Sequence, residues 1–275
     1  MNEPIRKNKV LNDTTVVDAH THLGYAPEMY IPNKEVKQFV KLMDHLGIDI
    51  CLCTHLAALQ SSLDYGHKQL IEDMKVAKGK ILGFVVFNPH YLNESMRWVK
   101  QCRNSRYFVA VKIHPAWHRY PPNGPKYQPL WEYVTEFNIP VMSHTWDYDP
   151  QNPAQDFSHP ILFTEIAQKY PSVKIILAHA GGRYNAHIEA VNLAQQYSNI
   201  YLELAGDSFL PGLIEYMVSK LGPKRILYGS DMIWIDPRYH LGSILSANIT
   251  LEAKQKILGE NAIKVYGLKK HIDYL

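Results

Sequence analysis

The chain has 275 residues, of which 46% are hydrophobic and 11% aromatic, and this composition suffices for a large buried core. Its 29 basic and 26 acidic residues give a formal net charge of +3 without a basic cluster, so the composition does not indicate a nucleic-acid-binding protein. No apolar stretch reaches the length of a membrane-spanning helix. We therefore expect a protein that binds neither nucleic acid nor membranes.

The cysteines and the N-terminal segment bear on the cellular compartment. Cys51 and Cys53 lie in an apolar, strand-like stretch, and Cys102 is isolated. Buried, unreactive thiols are the ordinary interpretation, because a zinc knuckle needs a second Cys or His pair at matching spacing. The first residues, "MNEPIRKNKVLND", lack the apolar core of a signal peptide. We expect a reduced, cytoplasmic protein.

Short β-rich stretches alternate with helical stretches along the sequence. The predicted strands are "TVVDAHTH", "IDICLCTH", "ILGFVVFN", "FVAVKIHP", "IPVMSHTW", "VKIILAHA", "IYLELAG" and "RILYGSDM". The stretches between them have helical periodicity. The first predicted helix ends at Gly47, "PILFTEIAQKYP" ends at Pro171, and Asn248 or Thr250 would cap the C-terminal helical segment.

Eight strands that alternate with helices predict a parallel sheet with both faces covered, and eight is also the number that closes a (β/α)8 barrel. An open, doubly wound sheet is the alternative, but the glycine-rich phosphate-binding signature that follows its first strand is missing. We expect one α/β barrel domain over residues 1–275.

Polar side chains stand at the carboxyl ends of five predicted strands. His20 and His22 are two residues apart, so in a strand both imidazoles project to one side, and Asp18 would share it. A His-x-His pair arises by chance about once in a chain this rich in histidine, so the other strand ends decide. They carry Lys112, His114, His144, His179 and Asp231.

In a barrel these strand ends converge on one mouth. Three imidazoles and one carboxylate there fit zinc or a similar divalent cation, with one position left for water. Such a cation lowers the pKa of a bound water and polarises a carbonyl group, and a neighbouring acid or base moves the proton. The sequence therefore predicts a metal-dependent enzyme that acts on a small molecule.

The stretches "VVDAHTH", "VKIHP", "SHT", "LAHAGG", "YGSDM" and "ILGENAIKVYGL" resemble the amidohydrolase-related branch of the amidohydrolase superfamily, which includes enzymes of the aminocarboxymuconate-semialdehyde decarboxylase type. The resemblance covers nearly the whole chain in the same order. It implies a distorted (β/α)8 TIM barrel of the metal-dependent hydrolase type with a divalent metal, commonly zinc. It also implies His20, His22, His144 and Asp231 as metal ligands.

The resemblance further implies that His179 is the base or proton donor beside the activated water. Asp231 also takes a proton in the binuclear relatives, so it would have a catalytic role as well. In those relatives the lysine on the fourth strand is carboxylated and bridges two metals. For Lys112 we favour instead an internal ion pair with Glu203 or Asp18 and a site with one metal ion, while two ions stay open.

The remaining polar residues would support the metal or the substrate. We expect Asp18 to lie behind the metal ligands and orient an imidazole. His114, two residues closer to the mouth than Lys112, would contact substrate, and Arg183 would bind a substrate carboxylate. Aromatic residues in the loops, Trp117, Trp146, Trp234 and Tyr25, would wall an apolar pocket.

Three functions are compatible with these residues. The first expectation is a metal-dependent hydrolase of a small amide, ester or lactone. The alternative is a metal-dependent, non-oxidative decarboxylase of a small aromatic or unsaturated carboxylic acid, for which the resemblance implies longer chains with larger loop insertions. A binding protein that lost the chemistry is the third possibility, but every expected ligand position is filled. The sequence leaves the substrate and homo-oligomer formation open.

Overall fold

Eight parallel strands form the centre of the computed structural model, which describes residues 12–25, 35–207 and 210–272. Each strand pairs with the next one in the chain, from the first to the eighth. The number and order of the predicted strands are therefore confirmed. The strands are β1 (Val17–Leu23), β2 (Ile50–His55), β3 (Ile81–Val86), β4 (Phe108–Ile113), β5 (Val141–His144), β6 (Ile175–Ala178), β7 (Ile200–Glu203) and β8 (Ile226–Leu227).

The last strand is short, and the chain beyond it closes the sheet. The Ala19 N–H donates to the Tyr228 carbonyl at 2.9 Å, and the Asp231 N–H donates to the His20 carbonyl at 2.8 Å. Thr21 forms an isolated parallel bridge with residue 232. Because β1 and the segment after β8 are joined in this way, the fold is a distorted (β/α)8 TIM barrel, as predicted.

Helices lie between the strands and after the last one. They are α1 (Val36–Leu46), α2 (Leu56–Gln60), α3 (Leu63–Ala77), α4 (Leu92–Cys102), α5 (Pro115–His118), α6 (Gln128–Phe137), α7 (Thr164–Lys169), α8 (Tyr184–Gln196), α9 (Leu213–Leu221), α10 (Arg238–Ser246), α11 (Leu251–Gln255), α12 (Asn261–Tyr266) and α13 (Lys269–Ile272). A π-helical turn, Lys256–Glu260, joins α11 to α12.

Short 3-10 segments complete the connections. They are Pro125–Tyr127, Pro153–Ser158, Pro160–Phe163, His179–Gly181 and Pro223–Arg225. The helix predicted before Pro171 is divided, since Pro160–Phe163 is a 3-10 turn and α7 follows it. Among the described residues, no helix is both long and apolar enough to cross a membrane.

Two predicted helix boundaries are confirmed, each with a physical cause. Gly47 ends α1 in the left-handed conformation, at φ 73°, which costs glycine no steric strain. The Thr250 hydroxyl accepts the Ala253 N–H at 3.2 Å and so caps α11. Local sequence therefore determined these two boundaries.

The barrel interior changes from apolar to polar along each strand. Apolar side chains fill the amino-terminal half, and Ala262, Val265, Tyr266 and Leu268 pack against them. The polar residues of the mouth come next at the same two-residue spacing, as in Ala110, Lys112 and His114. The apolar interior residues of the strands are Val17, Ala19, Ile50, Leu52, Leu82, Phe84, Ala110, Met142, Ile176, Ala178 and Leu227.

Candidate active site

A cavity of about 330 Å3 opens at the carboxyl ends of the strands, where a TIM barrel carries its reactive groups. Indole rings and imidazoles supply most of its wall. The lining residues are His20, His22, Lys112, His114, Trp117, His144, Trp146, Gln155, His179, Gly206, Asp207, Asp231, Trp234 and Ile235. The structure therefore brings the histidines, Lys112 and Asp231 of the sequence prediction to one cavity.

His20, His22 and Asp231 form one compact group at this cavity. The Nε2 atom of His22 lies 3.0 Å from Asp231 Oδ1, and the Nε2 atom of His20 lies 3.7 Å from the same oxygen. One ligand atom from each residue falls within 4.8 Å of the others. Two imidazole nitrogens and a carboxylate oxygen thus face a common point, as a divalent cation requires.

Glu203 orients His20 from behind. The carboxylate Oε2 lies 2.7 Å from His20 Nδ1, and both side chains are buried. A Cβ on Gly229 would lie 1.9 Å from Glu203 Oε1 and 2.9 Å from His20 Cβ, so the pair needs a glycine at this position. Because Nδ1 is bonded to the carboxylate, Nε2 is the nitrogen of His20 that faces the cavity.

His179 and His144 form a second contact across the cavity. His179 Nε2 lies 3.1 Å from His144 Nδ1, and His144 Nε2 lies 3.0 Å from Gln155 Oε1. Among the described residues, His144 is not part of the compact group that contains His20, His22 and Asp231. The structure therefore places His144 beside the predicted proton donor, and its role as a metal ligand stays a prediction.

Four rings stand nearly parallel along one wall. The imidazole of His114 stacks on Trp117 with centroids 4.2 Å apart and on His144 with centroids 4.0 Å apart. The planes of His144 and Trp146 differ by only 8°, at a longer distance of 5.8 Å. His114 Nδ1 also accepts the Trp117 N–H at 3.3 Å. His114 thus lies at the cavity, where the predicted contact with substrate is geometrically open.

Lys112 is buried, but its environment differs from the sequence expectation. Its ammonium lies 2.9 Å from His20 Nε2, and among the described residues no carboxylate makes an ion-pair contact with it. The expected direct pair with Glu203 or Asp18 is therefore not formed, because Glu203 is bonded to His20 instead. Burial lowers the pKa of Lys112 to about 8, although the charges of Glu203 and Asp231 raise it.

Asp18 does not share a side with His20 and His22. The pairing of β1 with β2 shifts in register between Asp18 and Thr21, which interrupts the alternation of side chains. Asp18 consequently lies outside the cavity lining. Its Oδ1 accepts the N–H groups of His20 at 3.2 Å and Ser230 at 3.0 Å. The carboxyl group holds the His20 backbone rather than an imidazole, and burial raises its pKa to about 8.

Arg183 is at the rim and is not among the residues that line the cavity. Its guanidinium pairs with Asp207 and lies over the Trp146 ring, 5.1 Å from the centroid. In this conformation the Arg183 guanidinium is bound by Asp207, so it is not free to bind a substrate carboxylate as expected. Of the four aromatic residues expected to wall the pocket, Trp117, Trp146 and Trp234 line this cavity. Tyr25 borders a different cavity.

Two residues of the cavity have backbones in the left-handed region. His179 has φ 63° and Asp231 has φ 62°, although neither is glycine. Such conformations cost about 1–3 kcal/mol each and persist where the surrounding structure enforces them, often at functional sites. The backbone strain at both positions agrees with a functional role for their side chains.

Burial and neighbouring groups control the charge states of the cavity's histidines and of Asp231. Burial lowers the pKa of His20, His144 and His179 well below the usual range, so these imidazoles are neutral around pH 7. Burial alone would raise the pKa of Asp231, but the hydrogen bond with His22 and the nearby imidazoles hold it well below its ordinary value. Neutral imidazoles beside an ionised carboxylate are the protonation states in which these side chains bind metal ions.

A model of the Amidohydrolase family matches residues 17–268, which is most of the chain. The protein belongs to the amidohydrolase family. The sequence resemblance to this family is thereby confirmed. Among curated proteins, none matches the sequence significantly.

Solved structures share the fold of this amidohydrolase at low sequence identity. The 2,6-dihydroxybenzoate decarboxylase from Rhizobium is 16% identical with a TM-score of 0.73, over 93% of this chain and 99% of that one. A dihydroxybenzoic acid decarboxylase from a Polaromonas species, with manganese and the inhibitor 2-nitroresorcinol, is 17% identical with a TM-score of 0.72 over 93% and 97%. The 5-carboxyvanillate decarboxylase from Novosphingobium aromaticivorans, with manganese and 4-hydroxy-3-methoxy-5-nitrobenzoic acid, is 13% identical with a TM-score of 0.73 over 98% and 100%.

The donor set of this amidohydrolase fits a divalent cation. His22 Nδ1 is buried without a hydrogen-bond partner among the described residues, while Nε2 faces Asp231. His20 Nδ1 is fixed by Glu203, the arrangement by which proteins direct Nε2 to a metal. Mixed nitrogen and oxygen ligands suit zinc and manganese alike. His20, His22 and Asp231 are therefore the residues that would hold the ion.

Sequence reasoning missed three residues of this amidohydrolase site. The sequence suggests Glu203 only as a partner for Lys112, although its position at the end of an apolar strand is a usable signal. Gln155 reaches His144 from a long loop, and Asp207 lines the cavity after β7. Nothing in the local sequence distinguishes these two from surface residues, so only the fold reveals them.

Proposed function

We propose that this amidohydrolase is a metal-dependent, non-oxidative decarboxylase of a small aromatic carboxylic acid. The observation that carries the proposal is the cavity of about 330 Å3, in which Trp117, Trp146 and Trp234 surround the candidate ligand group. Indole and imidazole walls favour a flat ring. The three solved neighbours support decarboxylation better than hydrolysis, which is the first expectation from the sequence. The family name alone does not fix the reaction.

The proposed cofactor is one divalent cation, held by His20, His22 and Asp231, with His144 as the proposed fourth ligand. Manganese in two of the neighbours makes it a candidate equal to zinc. When bound, the cation would supply positive charge that attracts the oxygen atoms of an acidic substrate and offsets their desolvation. A single ion is favoured because Lys112 presents an ammonium, and not a carboxylate, to the cavity.

The chain's own residues would bind and orient the substrate. The stacked pair of His114 and Trp117 offers a flat surface, and Trp234 lies 6.2 Å from Trp117 between ring centroids. A substrate ring would stack on this surface with its carboxylate turned toward Lys112. Because Lys112 is buried, its attraction for the carboxylate is screened by water less than that of an exposed lysine.

His179 is the proposed proton donor. The bond between the ring carbon and the carboxyl carbon breaks, its electron pair stays on the ring carbon, and CO2 leaves. The ring carbon then takes the Nε2 proton of the His179 imidazolium, which becomes the neutral imidazole. A proton from solvent restores the imidazolium for the next turnover, so one proton is consumed for each CO2 released. An anionic substrate in the cavity raises the pKa of His179, since a nearby negative charge favours the imidazolium form.

The proposal is tested with a panel of acids and neutral substrates. Protein supplied with manganese or zinc is incubated with 2,6-dihydroxybenzoate, 5-carboxyvanillate and unsubstituted benzoate, and CO2 and the ring product are measured. We expect one CO2 for each acid consumed. His179→Asn should abolish turnover while the metal stays bound, and His90→Asn, which alters a histidine outside this cavity, should leave turnover intact.

Hydrolysis is tested in the same experiment. Esters, lactones and amides of similar size are supplied in place of the acids. Turnover of these compounds, together with no CO2 from any acid, would refute the decarboxylase proposal and restore the hydrolase prediction.

A further inference from the structure

His179 also borders a second cavity of about 330 Å3, distinct from the candidate active site. This cavity lies among α9, α10, residue 204 and residues 210–212. Its wall combines apolar and polar side chains. The apolar lining residues include Leu204, Leu210, Leu213, Ile214, Ile244 and Ala247.

His240 is one of the polar residues of this wall that the proposed reaction does not use; the others are His187, Glu215, Tyr239, Ser243 and Ser246. Its side chain is only 6% exposed, and among the described residues neither ring nitrogen has a hydrogen-bond partner of acceptable geometry. Burial lowers the pKa of His240, although the Gly206 backbone and the charges of Glu203 and Asp231 raise it. A neutral imidazole therefore offers one donor and one acceptor to a ligand, and pairing them is favourable because unsatisfied buried polar groups are costly.

The charges of the wall restrict the ligand. Among the described lining residues there is no lysine or arginine, so an anion would enter without a counter-charge. Glu215 adds a carboxylate, whose Oε1 accepts the Asn248 N–H at 2.7 Å. His240 belongs to neither group of candidate metal ligands found among the described residues, which are His20 with His22 and Asp231, and His20 with His179 and Glu203. A hydroxyl group matches the imidazole best, because it both donates and accepts.

We infer that this cavity binds a small neutral organic molecule with one hydroxyl group, a phenol or an alcohol of about one ring in size. The ring fills the apolar space, and the hydroxyl bonds to His240. The occupant would also contact His179. This inference rests on the second cavity and not on the proposed reaction, so each can fail without the other.

The probes are phenol and cyclohexanol, with benzoate and aniline as charged and amino analogues, titrated into the full chain by calorimetry. Ala247→Phe fills the cavity, and His240→Phe removes the hydrogen-bonding nitrogens while keeping the apolar volume. Trp117→Ala alters the candidate active site and serves as the matched control. Circular dichroism verifies the fold of each variant, and Ser243→Phe, at an exposed residue of the wall, replaces Ala247→Phe where that variant unfolds.

We expect one saturable site for phenol that Ala247→Phe or Ser243→Phe weakens at least tenfold. His240→Phe should also weaken phenol binding, Trp117→Ala should change it less than twofold, and benzoate should bind at least tenfold more weakly than phenol. Absence of saturable phenol binding would overturn the inference. So would phenol binding that Trp117→Ala removes and the cavity-filling variant preserves, or equal affinity for benzoate.

Discussion

The Glu203 carboxylate on β7 and the Nδ1 atom of His20 on β1 are 2.7 Å apart in the barrel interior. This pairing fixes the orientation of His20, because a carboxylate bonded to Nδ1 leaves Nε2 for the cavity side. The same Oε2 atom accepts the His179 N–H at 3.3 Å. One buried carboxylate therefore links a candidate metal ligand with the backbone of the proposed proton donor.

Replacement of Glu203 by glutamine should weaken metal binding about 10–100-fold, the range measured when partners of metal-bound histidines are changed. An amide presents N–H groups as well as an oxygen, so it no longer enforces one tautomer of His20. Affinity is measured by competition with a coloured chelator for manganese and zinc. Glu252→Gln, at an exposed residue, is the control, and equal affinities in both variants would contradict the role of Glu203.

Gly229→Ala should destabilise the protein strongly. The new Cβ would overlap Glu203 Oε1 at 1.9 Å, in an interior where neither neighbour is free to move. Overpacking of this kind costs about 1–3 kcal/mol or more. The control is Gly242→Ala in α10, where a Cβ meets nothing within 4 Å, and alanine there should be neutral or stabilising by about 1 kcal/mol. Thermal unfolding of both variants measures the difference, and similar melting temperatures would refute this account.

The fold and most of the cavity residues were predictable from the sequence because both follow from local residue patterns along the chain. Short β-rich stretches between helical ones predicted the eight strands, and the polar residues at or after their carboxyl ends predicted His144, His179 and Asp231 at the mouth. These residues can be recognised from local sequence alone, because in a parallel barrel the carboxyl end of every strand lies at the mouth.

What the sequence did not reveal depends on contacts between strands. The register shift in β1 turns Asp18 away from the cavity, and no residue pattern marks it in advance. Glu203 bonds to His20 and not to Lys112, and this too depends on which strands are adjacent. Both β7 and β1 flank β8 where the barrel closes. The periodicity of the sequence predicts which side of a strand a side chain faces. It does not predict which residue of another strand that side chain contacts.

Asp18 should make the protein less stable as the pH rises. Burial raises its pKa from 3.8 to about 8, so between these values the folded protein keeps a proton that the unfolded chain releases. Its contribution is complete below about pH 4 and is lost by about pH 8, at about 1.4 kcal/mol per pH unit. Asp18→Asn keeps an acceptor for the His20 and Ser230 N–H groups but does not titrate.

The measurement for Asp18 is urea unfolding of metal-free protein at pH 5, 6 and 7. We expect the stability of Asp18→Asn relative to the wild type to rise steadily over this range, because only the wild type loses the contribution of the proton. Asp44→Asn, on the surface, controls for the substitution itself. A constant difference between Asp18→Asn and the wild type would show that this carboxyl group does not titrate between the two states.

Metal content tests the number of ions and the state of Lys112 together. We expect one equivalent of divalent metal per chain and an unmodified Lys112. At pH 7 its pKa of about 8 leaves it mainly as the ammonium, which does not react with CO2, whereas a carbamate forms only from the neutral amine. Elemental mass spectrometry gives the metal content, and intact mass under gentle conditions detects the added CO2.

His22→Ala should lose the metal, and His90→Ala should retain it. Two equivalents with a carbamate would instead make Lys112 a ligand, move His179 to a second ion, and return the proposal to hydrolysis.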